Sequence, residues 1–304
     1  MDMVANLRAF LAVARYGSFS EAARQLNLVP SVAAKRVTQL EHTVGMRLFD
    51  RSTRKVALTE AGEKFQGRAR TLVADLDDTL SGLRRTGDRL EGRIRMMVPT
   101  TLHMLVLSDV LGSFLREHEL ITMELALVNR SVNPAEEGFD LAITGHAANS
   151  YEGVLDIPLH PFDQVLCAAP EYLQRRGTPL QPHDLEGHDG LFFKPLGTAW
   201  RFDSEQGQLA VDVRPRLIAD DTLTLQAAAL AGNGIGMLPR YVAGDAIRAG
   251  RLVELLQEYP LARSWFRAHV TQNRAKLARI TALLDWLKSA LEKSLPPVTI
   301  AHQS

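Results

Sequence analysis

Along the first sixty residues, apolar side chains return every three or four places, the interval that lines one side of an α-helix. In MVANLRAFLAVARYG the stripe is Val4, Leu7, Phe10, Leu11 and Ala14, and Gly17 ends it. SFSEAARQLN follows, with Ser18 and Glu21 at capping-box spacing and Ala22, Ala23 and Leu26 on the apolar side. Asn27 suits a left-handed residue closing that helix before a tight turn. A third helix is predicted from Pro30 to about Val44, with proline in its favoured first position. In RLFDRSTRKVALT two apolar runs flank the polar turn from Asp50 to Lys55, which reads as a hairpin. Thr59 then caps a long helix in which Phe65, Ala69, Leu72, Leu76, Leu80 and Leu83 recur. Such a stripe between solvated flanks needs an apolar partner. The same helix of a second copy is the natural one, and packing on the chain's own body is the alternative.

Gly87 and Gly92 mark a linker, and from Arg93 the pattern alternates between strands and helices. RIRMMV reads as a strand, TLHMLVLSDVLGSFLREH as a helix, TMELALV as a strand, PAEEG as a short helix and FDLAIT as a strand. The alternation continues through QVLCAA, PEYLQRRG, GLFF, TLTLQAAALAGNG, IGMLP, RLVELL and WFRAHVT to a final helix, AKLARITALLDWLKSALEK. The expected fold is α/β, with helices on the faces of sheets and enough chain for two lobes around a cleft.

Composition changes this picture little: of 304 residues, 46% are apolar and 23% charged, both ordinary for a globular protein. No run approaches the ~20 apolar residues of a membrane span. The N-terminus lacks a secretory pattern and Cys167 is the only cysteine, so a cytoplasmic location without disulfides is expected. Charge changes the picture more. Lys+Arg and Asp+Glu balance at 35 each, but residues 1 to 60 hold 9 basic against 5 acidic residues. A basic head on a mildly acidic body points to a polyanionic partner for the head.

A capped helix, a tight turn and a further helix with a basic outer face describe a helix-turn-helix. Ala33, Val37 and Leu40 point inward on the third helix, so Ser31, Lys35 and Thr38 point outward, with Ala34 at the edge and Arg36 on the flank. Small residues at its amino end suit entry into a groove about 12 Å wide. Lys35 and Arg36 reach phosphates or guanine edges, and Arg51, Arg54 and Lys55 on the hairpin are placed like a wing. A merely solvated basic face is the competing explanation. Enzymatic chemistry has little support, and no catalytic residue is assigned. No phosphate-binding glycine loop follows the first strand, and GNGIG lies between a helix and a strand, the wrong order for a dinucleotide fold. The histidines show no metal-ligand spacing, so neither a metal nor a cofactor is expected.

Order and spacing then carry a specific resemblance. LRAFLAVARYGSFSEAARQL and KRVTQLEHTVGMRLFDRSTRKVALTEAGEKF resemble the head of the LysR-type transcriptional regulators. EEGFDLAIT, APEYLQRRGTPLQPHDLEGH and AAALAGNGIGMLPRYVAGDAIRAGRLVELL are similar to that family's effector-binding domain. The resemblance implies a winged helix-turn-helix over 1–58, a dimerising linker helix over 59–90 and a two-lobed effector-binding domain over 91–304. That last domain would resemble periplasmic solute-binding proteins, with lobe I near 91–161 and 266–295 and lobe II near 162–265. It further implies a regulator, not an enzyme, that binds promoter DNA, assembles as a dimer and homotetramer, meets RNA polymerase, and responds to a small molecule between the lobes. By position, DNA contacts fall to Pro30, Ser31, Ala34, Lys35 and Arg36, and on the wing to Arg51, Thr53, Arg54 and Lys55. The dimer stripe is Phe65, Leu72, Leu76, Leu80 and Leu83. Val29 and Ala34 depart from the family, which often has serine at both places; Ser31 would compensate as a cap if the helix began one residue later.

For the effector, Thr100 and Thr101 open a helix directly after a strand, and their hydroxyls and free N–H groups suit an anion, or merely cap the helix. Family placement adds Arg130, Thr144, Gly145, Phe193, Lys194, Asp221, Thr222, Asn233 and Gly234. Helix N-termini and Lys194 favour a carboxylate-bearing effector, although Lys194 is more readily read as a solvated charge, and Asp220 and Asp221 argue mildly against an anion.

Overall fold

The computed structural model describes residues 2–52, 55–82, 89–145, 150–204 and 207–295. The head is built from α1 (Met3–Tyr16), α2 (Phe19–Gln25), α3 (Pro30–Val44), and a hairpin of β1 (Phe49–Ser52) and β2 (Lys55–Leu58). Ser18 Oγ accepts from the Glu21 N–H at 3.3 Å, while the Glu21 carboxylate turns to Arg24 and Gln25 instead of closing a capping box. Asn27 adopts φ +53, which lets the chain reverse into α3. Phe10, Val13, Ala22, Val37, Leu40 and Phe49 close a core on the apolar faces of these elements.

The linker helix α4 (Glu60–Gly82) begins where Thr59 Oγ1 accepts from the Gly62 N–H at 3.0 Å. Its apolar stripe divides in two. Phe65 packs on Phe10, with ring centroids 5.4 Å apart, and Ala69 is fully buried beside it. Further along, Leu72 and Leu80 are 56% and 47% exposed. Phe65, half-buried, thus also packs on the core of the head, and the first turns of α4 cover Phe10. Leu83 lies outside the described residues.

The body has two five-stranded sheets. The first, in the order β4 (Ile121–Leu127), β3 (Gly92–Val98), β5 (Leu141–Thr144), β14 (Ser264–Thr271) and β6 (Val154–Phe162), is parallel across β4, β3 and β5 and antiparallel beyond. It is flanked by α5 (Thr100–Leu102), a π-turn at His103–Leu107, α6 (Ser108–Glu117), α7 (Pro134–Glu137) and α11 (Ala278–Ser294). The second runs β11 (Arg214–Ala219), β8 (Asp189–Phe193), β12 (Ile235–Pro239), β7 (Gln164–Ala168), β13 (Val253–Leu255), with β9 (Ala199–Ser204) and β10 (Gly207–Asp212) as a separate hairpin. Its helices are α8 (Pro170–Arg176), α9 (Thr222–Leu230) and α10 (Arg240–Arg248). Each lobe has its own apolar core, around Met96, Phe114 and Leu283 in one and around Leu166, Trp200 and Ile235 in the other. The chain passes between the sheets twice, after β6 and before β14, so two strand ends form the hinge.

The head is tied to the first lobe through the face of α4 that bears no leucine. Gly67 meets the backbone of α7 so closely that a Cβ there would sit 2.6 Å from the Glu136 carbonyl carbon. Opposite it, Gly138 takes φ +72 and ends α7. Beside this contact the buried Arg274 bridges Asp75 of α4 at 2.8 Å and the buried Asp140 at 3.3 Å. Asp140 in turn accepts from the Arg95 backbone N–H at 2.7 Å, so one polar chain runs from linker helix to central strand. Among the described residues no helix is long and apolar enough to cross a membrane.

Candidate DNA interface and effector cleft

The three inward positions of α3, Ala33, Val37 and Leu40, are fully buried or nearly so, and this fixes what the helix presents outward. Pro30, Ser31, Lys35 and Thr38 are exposed, and Ala34 and Arg36 are half-buried on the flanks. Val29 is the N-cap, in extended conformation, and provides no side-chain hydrogen bond; the helix starts at Pro30, so Ser31 does not take over as cap. In the wing, Arg51 and Lys55 lie on β1 and β2, whereas Thr53 and Arg54 lie outside the described residues.

The cleft between the lobes is built by the carboxyl ends of strands, where open α/β sheets bind ligands. Thr101 follows β3, Asn129 and Arg130 follow β4, and Thr144 and Gly145 end β5; from the other lobe come Phe193, Asp220, Thr222 and Met237. Phe162 and Phe266 stack with centroids 4.3 Å apart at the hinge, and Tyr241 stands edge-on to Phe162. The space left is about 50 Å³, room for a few water molecules. Among the described residues one hydrogen bond crosses it: the Thr101 hydroxyl donates to Asp221 Oδ2 at 2.9 Å. The other Asp221 oxygen accepts from the Thr224 N–H at 2.8 Å, so the residue that caps α9 also holds the lobes together. Burial, and then the negative charge of Asp221, pushes the Tyr241 phenol up, which keeps it neutral. Two buried polar atoms, Thr144 Oγ1 and Gln164 Oε1, lack a hydrogen-bond partner among the described residues. Such groups are costly unless something meets them.

Of the residues expected at the cleft, Thr101, Arg130, Thr144, Gly145, Phe193 and Thr222 line it together. The others do not. The Thr100 N–H is not open to an anion, because it donates to Asn129 Oδ1 at 2.9 Å. Lys194 is exposed on a tight turn outside the lining, a solvated charge. Asp221 is engaged in the bond that closes the cleft rather than in its lining. Asn233 and Gly234 sit at the far end of α9, whose nine residues span about 13 Å. There Asn233 bonds the Ala228 carbonyl, and Gly234 (φ +157) lies against the Asp189 backbone. Sequence reasoning missed Asn129, Gln164, Phe162, Tyr241 and Phe266. Gln164 and Phe162 flank Asp163, where the chain first crosses between the sheets; the other three carry no such signal in the sequence. Among the described residues no three His, Cys, Asp or Glu side chains gather as a metal site.

Comparison with known proteins agrees with both parts. Residues 4–63 match the bacterial regulatory helix-turn-helix protein, lysR family, and residues 87–292 match the LysR substrate binding domain. The HTH-type transcriptional regulator PtxR of Pseudomonas aeruginosa is 31% identical over 289 residues, covering 94% of this chain and 92% of PtxR. An uncharacterised HTH-type regulator of Escherichia coli, YhjC, is 30% identical and covers 97% and 100%. Among solved structures, CrgA from Neisseria meningitidis aligns with a TM-score of 0.59 at 26% identity, covering 94% of this chain and 98% of CrgA. ArgP from Mycobacterium tuberculosis shares the fold, with a TM-score of 0.69 at 20% identity over 97% of this chain and 98% of ArgP.

Proposed function

The chain belongs to the LysR-type transcriptional regulators, and from that premise we propose how its residues divide the work. It is a sequence-specific DNA-binding regulator, not an enzyme, controlled by a small molecule bound between two lobes. In our reading α3 lies in the major groove with Pro30, Ser31 and Ala34 against base edges or sugar-phosphate and Lys35 and Arg36 on phosphates. Arg51, Thr53, Arg54 and Lys55 follow the neighbouring backbone as the wing. The observation that carries this reading is the outward exposure of Ser31 and Lys35 opposite the buried Ala33, Val37 and Leu40. Loss of one phosphate contact lowers the slope of log affinity against log salt by about one. Lys35→Ala is therefore expected to weaken promoter binding and flatten that slope, measured by fluorescence anisotropy across a salt series. An unchanged slope and affinity would move the DNA face elsewhere.

The exposed Leu72 and Leu80, with Leu76 and Leu83, form the dimer stripe in this reading, and two dimers make the cytoplasmic homotetramer that contacts RNA polymerase. Leu76→Lys should then yield monomers in light scattering. The effector is a compact organic acid. Arg130 at the rim favours a carboxylate, although it already pairs with Glu137 at 2.7 Å. The unpartnered Thr144 hydroxyl and Gln164 Oε1 favour a hydroxyl or amino group beside it. Because the closed cleft has room only for a few waters, entry requires the Thr101–Asp221 bond to break. Lobe rotation then re-aims the dimers within the tetramer and changes how the wings bend DNA.

A further inference from the structure

The amino ends of β3 and β4, remote from the cleft at their carboxyl ends, open into a second cavity of about 790 Å³ between the head and the first lobe. Its charged lining is Arg15 of α1, Arg70 and Asp77 of α4, Arg93 and Arg95 of β3, and Glu124 of β4. Four guanidiniums thus face two carboxylates, and both carboxylates are already engaged. Glu124 accepts from Arg95 Nε and Nη2, each at 3.0 Å, and from Arg93 as well. The Arg95 bonds hold its carboxyl down to about 2 against burial, so it is ionised throughout the neutral range. Asp77 is bound by Arg8, which is not part of the cavity.

Two cations remain. Arg15 is exposed, its guanidinium over the face of Tyr16, 5.4 Å from the ring centroid. Arg70 is half-buried, and among the described residues no ion pair or hydrogen bond holds it. Burial, then the positive charge of Arg95, pushes its pKa down, yet an arginine does not give up its proton near neutrality. A partly desolvated charge without a close counterion is costly, and the carboxylate that attracts Arg70, Glu124, is already bound by Arg93 and Arg95. Leu11, Val73 and Met123 supply an apolar floor beside the cations. The exposed face of α3 and the leucine stripe of α4 are not part of this cavity, which separates it from both the DNA surface and the dimer surface.

We propose that this cavity binds a small, multiply charged oxyanion, held by Arg70 and Arg15, that clamps the head to the first lobe. It is a second ligand site, independent of the effector cleft. Its occupant touches α1 and α4 on one side and the strands leading to the cleft on the other, so it stiffens the joint through which effector binding reaches the DNA.

The test is calorimetric titration of the full-length protein with pyrophosphate and, separately, citrate, at constant ionic strength set with chloride. Saturable binding of either is expected; which one binds distinguishes a phosphoryl from a carboxyl ligand. Affinity should fall at least about tenfold in Arg70→Gln and in Arg15→Gln, and stay unchanged in the cleft variant Thr144→Val. Arg15 is exposed, so its variant keeps the test valid if Arg70→Gln fails to fold. The proposal is overturned if neither anion saturates at millimolar concentration, or if the arginine variants bind as the parent does. Loss of binding in Thr144→Val instead would put the anion in the effector cleft. A change of oligomeric state in Arg70→Gln without anion would assign the cavity to a second copy of the chain.

Discussion

Replacing Gly67 by alanine sets two effects of opposite sign against each other. In an exposed helix interior the change should stabilise, by about 1 kcal/mol of helix propensity. At this position the added methyl would lie 2.6 Å from the Glu136 carbonyl carbon and 3.2 Å from that of Glu137, where ordinary contact begins near 3.4 Å. The obstacle is backbone and cannot rotate aside, so α4 and α7 must separate by about 1 Å or more. Overpacking of this kind costs about 1–3 kcal/mol. The separation also stretches the 3.4 Å bond from Arg274 to the Thr71 carbonyl beyond hydrogen-bonding range and strains the 2.8 Å Arg274–Asp75 pair. Arg274 is buried, so loosening that pair leaves a charge poorly compensated. The net expectation for Gly67→Ala is a loss of stability despite the better helix former. Faster amide exchange over residues 134–140 and 67–75 should accompany it, with the α3 core unaffected. Differential scanning calorimetry and hydrogen-exchange mass spectrometry measure these, with the exposed Arg68→Ala as control. A Gly67→Ala protein that melts higher, with unchanged exchange at α7, would refute the close docking of linker helix on lobe.

Three further outcomes follow from single residues. Val29→Ser supplies the missing cap of α3, and since Val29 is 58% exposed little burial is lost; the head should gain about 1 kcal/mol in urea unfolding. His188 is buried with Nδ1 3.1 Å from the Tyr172 hydroxyl, and its pKa is lowered from 6.5, chiefly by burial and then by the charge of Arg176. The unfolded chain therefore takes up the proton first. Stability should decline as pH falls from 6.5 through the lower folded value, and His188→Gln should flatten that part of a denaturation series. The Cys167 thiol is fully buried and pushed up to about 12, mainly by burial and then by Glu254, so it should resist iodoacetamide until the protein unfolds.

The sequence was most readable where one element had one face to bury. Helices α1 to α3 were evident because their stripes are short, capped and pointed at a single core. In α4 the same periodicity concealed a change of partner between Ala69 and Leu72, since a leucine facing the head and a leucine facing outward look alike in a sequence. The opposite face carried the signal that matters for the joint, Gly67, but a lone glycine in a helix does not announce which backbone it admits. In the cleft, positions directly after strands were found because chain direction fixes them. Phe266 and Tyr241 were not found, since they belong to the return crossing and to a helix brought in by the other lobe. Thr100 and Asp221 were placed near the cleft correctly in space but not in role, because whether a cap is already satisfied depends on Asn129 and Thr101, distant in the chain.

The bond between Thr101 and Asp221 also sets a dose threshold. A chain in which only one molecule in a hundred stands open binds its effector about a hundredfold more weakly than the open form would alone. If the lobes must part for the effector to enter, as proposed above, the strength of this hydroxyl–carboxylate contact sets how much metabolite must accumulate before transcription changes. Thr101→Val, by freeing the lobes, would turn a regulator that responds to abundance into one that responds to traces, through a single hydroxyl of the cleft lining.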